Sequence, residues 1–366
     1  MTNAVFITVV LLRFTLPLFI PRFPLPAVFA SLVLDAADQT IFQLFTDSPL
    51  TGYQSYDKAL DIYYLAIAYV STMRNWRDPV AFEVARFLYL YRLVGVTLFE
   101  LTHYRWLLLV FPNTFEYFFI AYEAVRTRWN PRRLTATAIV GMAAFIWIFI
   151  KLPQEWWIHI AKLDFTEFMA ARPNLWYVLF GLVAAALGVL YWQRARIPNP
   201  DWSFTIDVDR HREQPSVPTG MADRFWSTVL LEKVVFLALV SVIFAQILPK
   251  LRVGNLGLAV GVAVLIVLNA AASQLLRRRG RSWATTAGQF GAMLTINLAL
   301  VFADVLLDPS GTAKVPANDT LFLVVLVSLL IALFDRYGDT RQPGERPHVW
   351  AVVRAERSRR LTGVQS

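Results

Sequence analysis

The chain has 366 residues, 57% hydrophobic and only 17% charged, with a formal net charge of +9 and no cysteine. A soluble domain carries about 25% charged residues, so the deficit points to a polytopic membrane protein, not to soluble domains. Lack of cysteine removes disulfide frameworks, thiolate metal sites and cysteine nucleophiles, and four histidines without metal-ligand spacing point away from zinc and haem.

Eleven apolar stretches come close to the roughly 20 residues that a bilayer-crossing helix needs. They cover 4–20, 25–46, 57–73, 82–101, 106–125, 134–151, 174–192, 225–248, 254–276, 282–306 and 319–335. The expected fold is all-α: a polytopic integral membrane helix bundle of about 11 transmembrane helices. The first stretch has no positive leader and is interrupted by Arg13 and Pro17, so it reads as a membrane segment and not as a cleavable signal.

The second stretch holds Asp35 and Asp38, three residues apart, and the third opens on Asp57 and Asp61, with Tyr64 on the same face. The fourth carries Glu83, Arg86, Arg92 and Glu100, of which Glu83, Arg86 and Glu100 share one helical stripe. Stripes of this kind can be buried together only around a common polar interior. The arginines of the fourth stretch are the expected counter-charges of the aspartates. The fifth stretch is interrupted at Pro112-Asn113 ahead of Glu116, which predicts a kink or a break. Lys151–Arg172 lies between apolar runs and is bounded by prolines 153 and 173; it reads as an interfacial helix whose Trp156, Trp157, Ile160 and Leu163 form the apolar arc.

Residues 193–224 form the one long polar loop, broken by four prolines. The expected organisation is a polar-cored membrane unit over 1–192 (about seven helices), a cytoplasmic linker over 193–224, a second membrane unit over 225–337 (about four helices), and a basic tail over 338–366. The C-terminal stretches carry small faces at Gly254, Gly257 and Gly261 and are the expected surface for homo-oligomer contacts. Their adjacent Glu232 and Lys233 point about 100° apart and would find partners on other helices.

Arginine placement sets the sidedness. With the N-terminus outside, loops 21–24, 74–81, 126–133, 193–224 and 277–281 and the tail from Arg336 hold 23 of the 35 Lys and Arg, against 8 on the other side. The positive-inside rule then gives a plasma-membrane protein with its N-terminus outside and its C-terminus in the cytoplasm. The excess positive charge follows those loops, so it calls for anionic lipid and not nucleic acid.

Ionisable groups at membrane depth are costly and mark functional sites. Paired carboxylates raise one another's proton affinity unless a cation intervenes. The first functional expectation is therefore a membrane-embedded enzyme acting on a lipid-linked or amphipathic substrate from the outer leaflet. Asp35, Asp38, Asp57 and Asp61 would hold Mg²⁺ or Mn²⁺ through oxygen ligands, Arg86, Arg92 and Arg105 would bind phosphate, and Glu100 would act as acid or base. The alternatives are a proton- or cation-coupled transporter that uses the same carboxylates as a relay, and a non-catalytic membrane scaffold in which the charges only orient helices. No P-loop, Gly-x-Ser-x-Gly or Gly-x-Gly-x-x-Gly motif occurs.

Overall fold

The computed structural model describes residues 2–45, 53–162, 168–169, 171–196, 198–211, 228–247, scattered positions between 287 and 298, and 317–338. The stretch 254–276, most of 282–306, the arginine run at 277–279 and the tail beyond 338 lie outside the described residues.

Among the described residues the fold is all-α. In chain order the helices are α1 (Thr2–Thr15), α2 (Pro24–Phe45), α3 (Tyr53–Asn75), α4 (Pro79–Thr102), α5 (Trp106–Val110), α6 (Thr114–Arg126), α7 (Ala136–Ile160), α8 (Leu175–Gln193), α9 (Thr228–Ile247) and α10 (Ala317–Gly338). Two of them, α7 and α8, are long and apolar enough to cross a membrane by length and composition.

Local chemistry sets the helix starts. Asp78 caps α4 by accepting the Ala81 N–H at 2.9 Å, and Pro79 follows at the first turn, where its missing N–H costs nothing. Thr135 caps α7 in the same way through Ala138 N–H. His103 ends α4 in the left-handed region, at φ 58°.

Helix α3 is the centre of the packing. It lies against α1, α2, α4, α9 and α10, and nearly every side chain from Ala59 to Met73 is buried. A helix buried all round belongs to the middle of a bundle. Around it Tyr69 stacks on Tyr89 with 4.5 Å between centroids, and Phe115 and Phe236 close the cluster. Lower down, Trp76 packs on Phe118, Phe119 and Tyr122. Phe236, Phe244, Leu330 and Phe334 of α9 and α10 belong to the same apolar core as Tyr69 and Phe115.

Two helices are irregular: the first as the sequence predicts, the second against it. The stretch 106–125 is broken: α5 ends at Val110, and Phe111, Pro112 and Asn113 pass through non-helical backbone before α6 begins. The sixth stretch is longer than expected. Lys151–Ile160 does not lie apart as an interfacial helix but continues α7 through Pro153. Widened π turns at Ile146–Lys151 and Trp156–Ile160 flank the proline. There the N–H groups of Leu152 and Ala161 reach back five residues, to Trp147 and Trp156. Shifting the hydrogen-bond register lets the helix pass a residue that has no N–H to donate.

Among the described glycines, the closest approach lies at the break. A Cβ at Gly95 would stand 2.0 Å from the Phe111 Cβ, whereas a Cβ at Gly181 would meet nothing within 4 Å. Gly95→Ala is expected to destabilise the protein by about 1–3 kcal/mol through overpacking, and Gly181→Ala to leave it unchanged or slightly more stable. Thermal melts of the two variants in one detergent check this, and equal midpoints would contradict it.

Candidate functional site

The aspartates of α2 and α3 converge on a cation, and that cation comes from α1. Arg13, 4% exposed, donates Nη1 to Asp38 and Nη2 to Asp35, and its Nη2 reaches Asp61 at 2.6 Å. A guanidinium presents five N–H donors in a plane and can serve several carboxylates at once. Arg13 therefore ties α1 to α2 and α3 from inside the bundle. The positive charge beside these aspartates was expected from Arg86 and Arg92 of α4. It comes from α1 because α4 turns its arginines toward other elements. The Asp57 side chain lies outside the described residues.

Tyr64, one turn beyond Asp61, extends this cluster. Its hydroxyl donates to Glu116 Oε1, and Asp61 and Asp35 act on it through space. The other oxygen of Glu116 accepts from Asn113 Nδ2 at 2.7 Å. Lys151 interacts electrostatically with both Glu116 and Glu155 and stands 3.4 Å from Glu155 Oε1. His159 Nε2 lies 3.0 Å from Glu155 Oε2. From Arg13 and its aspartates, through Tyr64, Glu116, Lys151 and Glu155 to His159, titratable groups thus follow one another through the bundle.

The irregular backbone is part of this arrangement. A break inside a helix strands polar groups that must be paired when buried. Here Arg92 Nη1 donates to the Phe111 carbonyl at 2.8 Å, Tyr91 OH donates to the Val110 carbonyl at 3.1 Å, and the Asn113 N–H donates to Glu155 Oε1 at 3.1 Å. The break therefore recruits Arg92 and Glu155 and sets Glu116 near Glu155. Sequence reading had Glu116 and Tyr64 among the polar residues but placed Lys151, Glu155 and His159 on a surface helix. Their spacing of four residues was the available signal, since it puts all three on one helical face.

The remaining predicted site residues do not converge with the aspartates. Arg86 pairs with Glu83 on its own helix and with Glu232 of α9 at 3.3 Å, and Tyr69 donates to the other oxygen of Glu232. Glu100 stands 3.8 Å from Lys58. Arg105 is exposed at the start of α5. The partners expected of Glu232 and Lys233 are found on three other helices, with Lys233 reaching Asp335 of α10 at 2.6 Å. Among the described residues no group of three or more His, Asp or Glu side chains is arranged to hold a metal ion.

The opposite end of the bundle is organised by residues 198–211, the described part of the proline-broken loop. Arg22 pairs with Asp207 at 3.1 Å, Arg74 with Asp209 at 2.5 Å and Arg133 with Asp201 at 2.5 Å. Backbone bonds from Asp201 to Arg128, Thr205 to Thr127 and Val208 to Arg22 add to these contacts. Hydrogen bonding to Asp207 pushes the Arg22 guanidinium further above its ordinary pKa. Four of the loops that arginine counting assigned to one side thus meet on one face of the molecule.

No protein-family model, no curated protein and no solved structure matches the chain.

Removing the Arg13 charge would leave three carboxylates facing one another in the bundle. Arg13→Gln is expected to cost about 3–5 kcal/mol, and Arg13→Gln with Asp38→Asn to recover part of that loss. A double-mutant cycle by thermal unfolding measures the coupling. Strict additivity of the two changes would show that the pair does not interact.

Proposed function

We propose that this is a multi-pass plasma-membrane protein, with its N-terminus outside and its C-terminus inside, working as a proton- or cation-coupled transporter. One observation carries the reading: titratable side chains occupy the inside of the bundle while large apolar side chains cover its outside. Arg13, Asp38, Glu123, Lys151, Glu155 and Lys233 are buried, whereas Phe29, Val33, Phe87, Phe149, Phe180 and Trp192 are more than half exposed. No part of the membrane-crossing window of α8 is buried. A water-soluble protein avoids so large an apolar exterior, and lipid favours it.

Within that frame the sequence of Asp61, Tyr64, Glu116, Lys151, Glu155 and His159 has the chemistry of a relay. Each group both binds and releases a proton, and neighbours lie within hydrogen-bonding or electrostatic range. The break before α6 supports the same reading, because irregular backbone at membrane depth accompanies ion and substrate pathways. The embedded-enzyme alternative needs Arg86, Arg92, Arg105 and Glu100 gathered around the aspartates, but Arg86, Arg92 and Glu100 bond elsewhere and Arg105 is exposed at the start of α5. On this reading His159 faces the outer side and Arg13 with its aspartates stands deeper in the bundle.

The cysteine-free chain makes the topology directly testable. A single Ser203→Cys should react with a membrane-impermeant maleimide only after the inside is opened, and His103→Cys should react in intact cells. Labelling of both from the same side contradicts the orientation.

The relay is tested in proteoliposomes carrying a trapped pH-sensitive dye. Wild-type protein should admit protons under an imposed gradient. Tyr64→Phe and Glu116→Gln should slow entry by about a hundredfold, the lower end of what one positioned proton-transfer group contributes, in protein that still incorporates and melts cooperatively. Unchanged rates in both variants overturn the transporter reading. A melting temperature raised by Mg²⁺ or Mn²⁺ in wild type but not in Asp61→Asn would favour the cation-dependent enzyme.

A further inference from the structure

Where the titratable chain passes the helix break, its two carboxylates, Glu116 and Glu155, face two cations. Arg92 acts through space on both of them, and so does Lys151. Lys151 is buried, donates to Gln154 Oε1 at 2.9 Å and stands 4.7 Å from the centre of the Tyr117 ring. Arg92 is anchored on the Phe111 carbonyl. The formal charges of these four groups cancel, and a proton on His159 would make the stretch positive.

The carboxylate oxygens of this stretch are already engaged. Glu116 accepts from Tyr64 on Oε1 and from Asn113 Nδ2 on Oε2, the latter at 2.7 Å. Glu155 accepts the Asn113 N–H on Oε1 at 3.1 Å, and its Oε2 lies 3.0 Å from His159 Nε2. A metal cation that leaves water needs oxygen ligands in place of its hydration shell. Here it would have to displace these donors and then stand beside two like charges in a poorly screened interior. A proton needs neither a ligand shell nor room, because it moves along hydrogen-bonded groups.

We propose that Arg92 and Lys151 set the ion specificity of this pathway, so that the coupling ion is the proton and Na⁺ and K⁺ are turned away. The proposal rests on the transporter reading of the same side chains and narrows it to one ion. Arg92 acts as a fixed charge barrier. Lys151 adds to the barrier and also carries the proton. It gives one proton to the Glu116 carboxylate and takes its replacement from a protonated Glu155. The Lys151 ammonium and the Glu155 carboxylate are then restored, and one proton has moved inward. Na⁺ and K⁺ have no such exchange open to them.

The experiment uses the full chain in proteoliposomes. Proton entry is read with a trapped pH-sensitive dye, at a membrane potential clamped by valinomycin and equal K⁺ on both sides, with Na⁺ or N-methylglucamine added outside. Entry of radioactive sodium, and of radioactive rubidium as a K⁺ surrogate, is read without valinomycin. Wild-type protein should admit protons equally with and without Na⁺, and should pass no more sodium or rubidium than empty vesicles. Arg92→Gln and Lys151→Gln should each let sodium in while trapped glucose stays inside, which separates a change of selectivity from a broken bundle. Arg92→Lys, which keeps the charge, should stay closed to sodium. Sodium entry through one neutral variant suffices if the other fails to fold. Sodium or rubidium entry through wild type, or proton entry that requires Na⁺, overturns the proton assignment and leaves the transporter reading standing. Neutral variants that fold and stay closed to sodium overturn the role of Arg92 and Lys151. Wild-type protein that moves none of the three ions overturns the transporter reading and this inference with it.

Discussion

Helix α3 is enclosed by other helices along most of its length, and that enclosure constrains everything packed against it. Every polar side chain in its buried stretch must be satisfied from inside the bundle, because a buried polar group without a partner costs more than the bond itself contributes. Ser71 and Thr72 solve this locally by bonding back to α3. The others recruit neighbours: Asp61 takes Arg13, Tyr63 takes the Phe14 carbonyl, Tyr64 takes Glu116, Tyr69 takes Glu232 and Asn75 takes the Pro21 carbonyl, and Trp76, just past the helix end, takes Glu123. These partners come from α1, α6, α9 and the turn after α1, so α3 determines which polar face each of them turns inward.

The two helix irregularities follow from the same requirement. Pro112 opens the backbone between α5 and α6, and side chains of α4 and α7 fill the vacated hydrogen bonds. Pro153 would open α7, and a change of register absorbs it there instead. The difference lies in what surrounds each proline. Phe111 is wedged against Gly95 and packed on Tyr91, with ring centroids 4.4 Å apart, which favours a turn of the chain. Pro153 itself is exposed and Leu152 and Gln154 beside it are half-buried, which leaves the helix room to widen. A consequence is that Lys151, Glu155 and His159 stay on one helical face and reach the titratable groups of α3 and α6.

At the other end the balance is electrostatic. Arg22, Arg74 and Arg133 are gathered on one face, where they would repel one another. Asp207, Asp209 and Asp201 arrive from a distant part of the chain and offset them. Half-exposed pairs of this kind contribute little singly, and their effect here is geometric: they hold residues 198–211 across the helix ends. The proline-rich composition that marks this segment as a loop is compatible with a strap as well as a linker.

The helical character of the chain is legible from its hydropathy alone, because apolar runs near the right length leave few other ways to satisfy the backbone. The importance of Asp35, Asp38 and Asp61 is legible too, since charges in such runs demand partners. The break at Pro112-Asn113 and the partnering of Glu232 and Lys233 across helices also follow from residue type and spacing. Other features depend on which helices become neighbours, and sequence spacing carries no information about that. It is tertiary packing that gives the aspartates to Arg13 and not to Arg86 or Arg92, extends α7 past Pro153, joins Tyr64 to Glu116 and sends Glu100 to Lys58. Local sequence determines which side chains cannot face lipid or apolar core unpaired; only the three-dimensional arrangement of α1, α3, α4, α6 and α7 decides which partner each receives, because an ion pair is specified by distance in space and not by distance along the chain.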